Sequence, residues 1–399
     1  MTNNALKKLE KEYRWDIYQC SLKCFNCQFV NPHMCIDGDH YMNCPSGKRY
    51  IFDSYFSGGR MEIARGLLDK SLKIPTEKLL EIIYSCTTCG SCEDKCFYNR
   101  ELRPVEVFEK VRAVLVEEEI GPLPEHMIFV NSIKDVHNPY KEKHENRLKW
   151  LENNKNYKKD AKILYFVGCT SSYRIQEIAK STAKIFEKLN IDFNISYDEW
   201  CCGSPLLRIG VMDLAEELMR HNVEQIKKLN IKKIIFSCAG CYRTFKKDYI
   251  EHGFNLDVEL QHVSEFIGDL IKENKVKLND LDLSITYHDP CHLGRHLKVY
   301  QAPREVIQTI PKLKLVEMYR NRYNAWCCGA GGGVKAGFKD MALDTAKERI
   351  EEAKLTGTKV IVSTCPFCSL NLKDCVKEMG EDIEVLDLTE LLLKGGISC

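Results

Sequence analysis

Two sets of five cysteines, in one order and at nearly one spacing, occupy the second half of this 399-residue chain. The first set is Cys169, then Cys201–Cys202–Gly203, then Cys238-x2-Cys241. The second is Cys291, then Cys327–Cys328–Gly329, then Cys365-x2-Cys368. Thirty-one and 35 residues lead to the double cysteines, and 35 and 36 lead onward. Chance does not place two such sets in register, so the half-chain is a duplication of one unit at an offset of roughly 125 residues. The segments around them repeat as well. Leu283–Tyr287 matches the strand pattern of Ala161–Gly168, and Lys359–Ser363 matches Ile231–Ser237. Val263–Ser264–Glu265–Phe266 is echoed by Leu388–Thr389–Glu390–Leu391.

Each copy alternates strand and helix, with Val258–Val263 a further strand and Ile175–Leu189 an amphipathic helix, which predicts a parallel sheet. In open parallel sheets, loops at the carboxyl ends of the strands gather around ligands. The cysteines fall in those loops, and Cys238 and Cys365 are expected to open helices whose N–H groups favour thiolate and cluster charge. Adjacent cysteines do not easily ligate one iron of an ordinary cubane, so five thiols at one site suggest an opened cluster.

The first 160 residues differ. Segments such as Glu77–Ile83 and Pro104–Glu119 carry apolar residues at helical spacing, and the polar stretch Glu152–Asp160 reads as a linker. Cys86-x2-Cys89-x2-Cys92-x3-Cys96 is the run used by two-cluster ferredoxins, with Gly90 allowing the tight turn. Zinc is the competing occupant. Phe97 stands where such runs carry proline. Upstream, Cys20-x3-Cys24-x2-Cys27 and then Cys44–Pro45 read as a second run stretched by an insertion. Cross-ligation groups Cys20, Cys24, Cys27 and Cys96 around one cubane, and Cys44, Cys86, Cys89 and Cys92 around the other. Cys35, inside the insertion, could replace Cys20 or Cys44. The expected division is residues 1–160, a helical ferredoxin-like domain, then 161–281 and 282–399, two α/β domains related by a pseudo-twofold.

Composition excludes other classes. Twenty-one cysteines in so long a chain point to metal rather than to a secreted disulfide scaffold. The net charge of +1 gives no nucleic-acid surface. No apolar run reaches the roughly 18–20 residues of a membrane span, and the lysine-rich start lacks a signal-peptide core, so a cytoplasmic protein is expected, with docking to a membrane partner left open. No nucleotide-binding fingerprint is present, so a flavin belongs to a partner rather than to this chain. His288, Asp289, His292 and Arg295 flank Cys291 as proton donors or anion binders, or as groups that hold the cluster's surroundings. Gly331–Gly333 lacks the strand–loop spacing and lysine of a phosphate loop and reads as a close backbone approach to a cluster. Cys375 reads as core and Cys399 as incidental.

The stretches Tyr84–Cys96, Cys201–Pro205, His288–Arg295 and Trp326–Gly333 resemble the D-type subunit of heterodisulfide reductase, a ferredoxin-like domain fused to two CCG domains. The resemblance implies two [4Fe–4S] cubanes and two CCG-bound [4Fe–4S] clusters, noncubane in the related reductases. Cys169, Cys201, Cys202, Cys238 and Cys241 would hold one CCG cluster, and Cys291, Cys327, Cys328, Cys365 and Cys368 the other. It further implies that electrons come from a partner subunit, either a flavoprotein or a membrane protein of the cytochrome b type, and that a small disulfide is cleaved to two thiols between the CCG sites. CCG domains also serve flavin-dependent dehydrogenases of lactate, glycolate or glycerol-3-phosphate as electron conduits, which is the alternative reading. Retention of all ten CCG cysteines favours the disulfide.

Overall fold

The computed structural model describes residues 3–20, 26–29, 40–72, 76–96, 101–151 and 154–399. Cys24 and Cys35 therefore lie outside the described residues, as does the start of the expected linker. The chain forms two spatial units. One holds Met1–Ile128, Pro205–Asp213 and Arg322–Ala346; the other holds Phe129–Ser204, Leu214–Asn321 and Lys347–Cys399.

The first unit is helical. Helix α1 (Asn3–Cys20) packs on α2 (Ser57–Leu68) and on α4 (Pro104–Glu117), and α3 (Glu77–Tyr84) leads into the Cys86 loop. The faces that meet are apolar: Leu9 and Ile17 from α1, Met61 and Ala64 from α2, and Val107, Phe108 and Val111 from α4 are all buried. Thr76 caps α3 by accepting from the Leu79 N–H at 3.2 Å, and Pro104 opens α4 where a missing N–H costs nothing.

The second unit holds two parallel sheets. Strand β1 (Ile163–Phe166) is followed by α5 (Gln176–Lys188), then β2 (Lys233–Phe236), β3 (Glu259–His262) and α6 (Val263–Lys272), with sheet order β1-β2-β3. Strand β4 (Ser284–Tyr287) is followed by α7 (Gln301–Gln308), β5 (Lys314–Leu315), β6 (Val360–Ser363), α8 (Pro366–Met379), β7 (Glu384–Asp387) and α9 (Leu388–Lys394), with order β5-β4-β6-β7. The two orders match, because a single bridge from Asn194 to Leu164 stands where β5 stands in the second sheet. These strands are β-branched and aromatic and buried along most of their length, as parallel strands covered by helices must be.

Duplication is visible in the packing. Helix α5 meets α9, and its counterpart α7 meets α6, so each repeat lays its first helix on the other's last. One apolar core runs through both sheets, including Ile185 and Phe186, Ile267, Val306 and Ile307, Leu391 and Leu392. This confirms the expected α/β class, with parallel sheets in the duplicated half. His262 and Asp387 cap α6 and α9 through matching capping boxes with Glu265 and Glu390, which explains the repeated sequence at those positions.

Candidate metal centre

The ends of β1 and β2 each deliver a cysteine. Cys169 follows β1 after Gly168, whose φ of +75° only glycine adopts easily, and a Cβ there would lie 3.0 Å from Cys241 Sγ. Cys238 follows β2 and is the N-cap of a short helix, Ala239–Arg243, that carries Cys241. Cys201 and Cys202 sit in the loop before Gly203, which adopts φ +89°. All five are buried, and none of the described cysteines is in a disulfide.

Their thiols form one chain of contacts. Cys201 lies between Cys169 and Cys202, and those two hydrogen bonds push its thiol well up. Cys202 is pulled well down, first by Cys201 and then by Cys241. Cys241 in turn touches Cys238. Five adjacent sulfurs in a dry interior cannot all ionise unless a cation shares their charge. The donor set and the space that Gly168 leaves open fit a thiolate-bound metal cluster.

Residues without a metal-like signature hold this arrangement. The buried Glu199 carboxylate pairs with Arg147 and accepts the N–H groups of Val167 at 3.1 Å and Gly168 at 2.8 Å. It thereby ties the Cys169 turn to the chain entering Cys201. Asn222 accepts the Trp200 N–H at 3.0 Å and donates to the Cys201 carbonyl at 3.1 Å. Sequence reasoning missed these residues; the one available signal was an acidic residue two positions before a double cysteine in an apolar setting.

In the second repeat, Cys365 follows β6 as N-cap of α8, which carries Cys368, confirming that both CxxC motifs open helices. Cys365 and Cys238 meet: a hydrogen bond with Cys238 is the largest influence pulling the Cys365 thiol down. The CxxC motifs of the two repeats are thus brought together. Two of the expected flanking residues, Asp289 and His288, make anchoring contacts. Asp289 receives both terminal nitrogens of Arg304, at 2.7 and 2.8 Å, fixing the turn before Cys291. His288 Nδ1 accepts the Arg349 Nε–H at 3.1 Å, leaving its proton on Nε2, and burial lowers its pKa to about 3. An imidazole nitrogen of His288 lies within 4.8 Å of Cys368 Sγ. His292 Nδ1 stands 3.5 Å from the position of a Cβ on Gly240, and Arg295 is buried.

Cys327 and Cys328 belong to the first unit. Trp326 beside them donates Nε1–H to the Thr345 carbonyl at 2.9 Å, and Gly329 (φ +90°) leaves no room for a Cβ, which would fall 2.5 Å from the Ala342 carbonyl oxygen. The glycines that follow pack closely on the Cys86 main chain: a Cβ on Gly332 would sit 2.4 Å from the Cys86 carbonyl oxygen.

The Cys86 loop follows α3, and Gly90 at φ 74° turns it into the helix Ser91–Asp94. Cys27, Cys44, Cys86, Cys89 and Cys92 line one cavity together with Arg60. Cys20 and Cys96 are outside that lining, and Cys20 Sγ lies 4.0 Å from Ser57 Oγ. Cys27 thus joins the wall that the spacing assigned to the other four. Burial pushes the Cys44 and Cys92 thiols up. Cys375 is buried in α8 and Cys399 is exposed. No helix among the described residues is long and apolar enough to cross a membrane.

Comparison with known proteins agrees with this geometry. The CCG cysteine-rich domain family matches twice, at residues 163–246 and 285–373. The D-type subunit of dihydromethanophenazine:CoB–CoM heterodisulfide reductase from Methanosarcina mazei is 42% identical over 329 residues, 80% of each chain. The B-type subunit of fumarate reductase (CoM/CoB) from Methanothermobacter marburgensis is 33% identical over 314 residues, 78% of this chain and 61% of that one. A hypothetical protein from Helicobacter pylori shares the fold, with a TM-score of 0.59 and 12% identity over 99% of this chain and 73% of that one.

Proposed function

This chain belongs to the family of heterodisulfide reductase D-type subunits, and from that premise we propose that it reduces a small-molecule disulfide to two thiols with electrons from a partner protein. It is an iron–sulfur oxidoreductase. The finer reading assigns two cubanes to the first 160 residues, one held by Cys44, Cys86, Cys89 and Cys92 and one by Cys20, Cys24, Cys27 and Cys96. It assigns one CCG cluster to Cys169, Cys201, Cys202, Cys238 and Cys241, and one to Cys291, Cys327, Cys328, Cys365 and Cys368. It keeps the three-part division at 1–160, 161–281 and 282–399.

The observation that carries the reading is the contact between Cys238 and Cys365, which brings the CxxC motifs of the duplicated repeats together. A disulfide has two sulfurs to hold as its bond breaks, and a duplicated thiolate-rich site offers a matching pair of positions. The balance is one disulfide, two electrons and two protons giving two thiols. Bound clusters supply single electrons and iron atoms that accept sulfur. The chain's own residues do the rest. Glu199 and Asn222 fix the Cys169, Cys201 and Cys202 loops, and Arg304 fixes the turn before Cys291. The apolar strands beneath, Tyr165–Val167 and Ile285–Tyr287, exclude water from the site. His292, half-buried beside Gly240, is placed to hold a proton for a departing thiol.

The test is anaerobic assay of the purified chain with CoM–CoB-type heterodisulfide and reduced viologen. Two viologens oxidised and two thiols released per disulfide is the expected stoichiometry. Viologen exchange with a flavoprotein dehydrogenase, and no thiol release, would instead assign the chain to electron transfer.

A further inference from the structure

Seven arginines stand among the largest fully buried side chains of the described residues: Arg60, Arg112, Arg147, Arg243, Arg304, Arg320 and Arg349. Five of them pair with a carboxylate: Arg147 with Glu199, Arg243 with Asp248, Arg304 with Asp289, and Arg320 and Arg349 with Glu352. Arg60 and Arg112 do not. Arg60 donates Nε–H to the Ile82 carbonyl at 2.8 Å, Nη1 to the Tyr55 carbonyl, and Nη2 to Ser46 Oγ at 2.9 Å and Ser85 Oγ at 3.1 Å. Arg112 donates Nε and Nη2 to the Ile83 carbonyl, Nη2 to the Cys86 carbonyl at 2.7 Å, and Nη1 to the carbonyls of Arg208 at 2.6 Å and Gly332 at 2.9 Å.

Every one of those acceptors is neutral. Hydrogen bonds and the Tyr84 ring, 5.1 Å from the Arg112 guanidinium, satisfy the donors but do not cancel the charge. The nearby Glu109 carboxylate is taken by Arg208 at 2.8 Å. Two fully buried guanidinium groups without an anion would cost several kcal/mol each. Both border one place: Arg60 lines the cavity of Cys44, Cys86, Cys89 and Cys92, and Arg112 grips the Cys86 carbonyl. A cubane held by four thiolates is anionic, and more so when reduced.

Resting on the cluster assignment above, we propose that Arg60 and Arg112 are built-in counter-charges of the cluster at Cys44, Cys86, Cys89 and Cys92, and that they raise its reduction potential. Positive charge stabilises the reduced state, which carries one more electron, over the oxidised one. The cluster beside the arginines is thereby made the favoured resting place of an incoming electron. Arg112 adds a mechanical link, since the same guanidinium binds the main chain just beyond each double cysteine, at Arg208 and at Gly332.

The test is an EPR-monitored redox titration of the anaerobically purified full chain. It compares the wild type, the neutral variants Arg60→Gln and Arg112→Gln, and the charge-keeping variants Arg60→Lys and Arg112→Lys. In each glutamine variant one cubane signal should move to lower potential by at least tenfold in the oxidised-to-reduced ratio, about 59 mV for a one-electron couple. The lysine variants should move by less than half of that, and the other signals should stay in place. Where a glutamine variant loses its cluster, iron content decides: loss with glutamine and retention with lysine supports the counter-charge role. Unchanged midpoints in the glutamine variants, or equal shifts or equal losses with lysine, would overturn it. A wild-type chain without any [4Fe–4S] signal would overturn the cluster assignment itself, and the inference with it.

Discussion

Glu199 is a single carboxylate holding two cysteine loops and a buried arginine. Truncating it to alanine leaves Arg147 charged and unpaired in the interior, a change of about 3–5 kcal/mol. Glu199→Ala should therefore unfold at markedly lower chaotrope concentration and retain less iron. A double Arg147→Met, Glu199→Gln variant should recover much of the loss, because no buried charge is left over. Chaotrope midpoints and iron analysis of the three proteins check this. Asp387 makes a second prediction, from its position in the register. Ser363 pairs with Asp387 as Phe236 pairs with His262, so an acid stands in one repeat where an imidazole stands in the other. Burial raises the Asp387 carboxyl to about 7 while its Oδ1 accepts from the Thr389 N–H and hydroxyl. In an unfolded chain it would titrate near 3.9, at roughly the value of a short peptide. The folded state thus keeps its proton between those values, and stability is lost as pH rises through that window. Asp387→Asn should melt progressively higher relative to the wild type from pH 5 to pH 8, and a constant gap across that range would contradict the assignment.

At the scale of elements, the helices of one repeat are closed by those of the other. Phe186 in α5 is fully buried and meets Tyr165, Phe193 and Phe266 of its own repeat edge-on. Helix α5 itself lies on α9 of the second repeat. Phe186→Ala should cost about 3–5 kcal/mol through the cavity it leaves. Hydrogen exchange should then show β1 and β6 losing protection together, since they share one core; loss confined to β1 would mean the repeats are independent. These elements were legible because runs such as Ile163–Phe166 and Val360–Ser363 have one pattern from end to end, and the structure trims the expected strands by one or two residues. The cysteine loops were legible from duplication alone. The supports were not: nothing in the sequence singles out Arg112 in Val111–Arg112–Ala113–Val114 or Arg60 in α2, because burial of a charge depends on tertiary partners that spacing does not encode. The grouping of Cys27 with the Cys86 cavity was equally invisible, since a stretched run does not say which wall its cysteine joins.

For the molecule as a whole, eighteen cysteines in four groups call for about sixteen irons if each group holds a [4Fe–4S] centre. Iron and sulfide analysis of anaerobically prepared protein giving eight or fewer would remove a pair of sites. Cys89→Ser should block electron entry while leaving any substrate-dependent EPR signal of the CCG sites, and Cys328→Ser should do the reverse. The contact of Cys238 with Cys365 brings the two CxxC motifs together, and the proposed mechanism uses the two repeats as one site rather than two in series. Groups that act as a unit show losses that do not add. The most direct measurement is heterodisulfide reduction by Cys202→Ser, Cys328→Ser and the double variant, each checked for cubane content. Nearly complete loss in either single variant, with no further loss in the double, is the result the paired site predicts; substantial turnover in either single variant would contradict it.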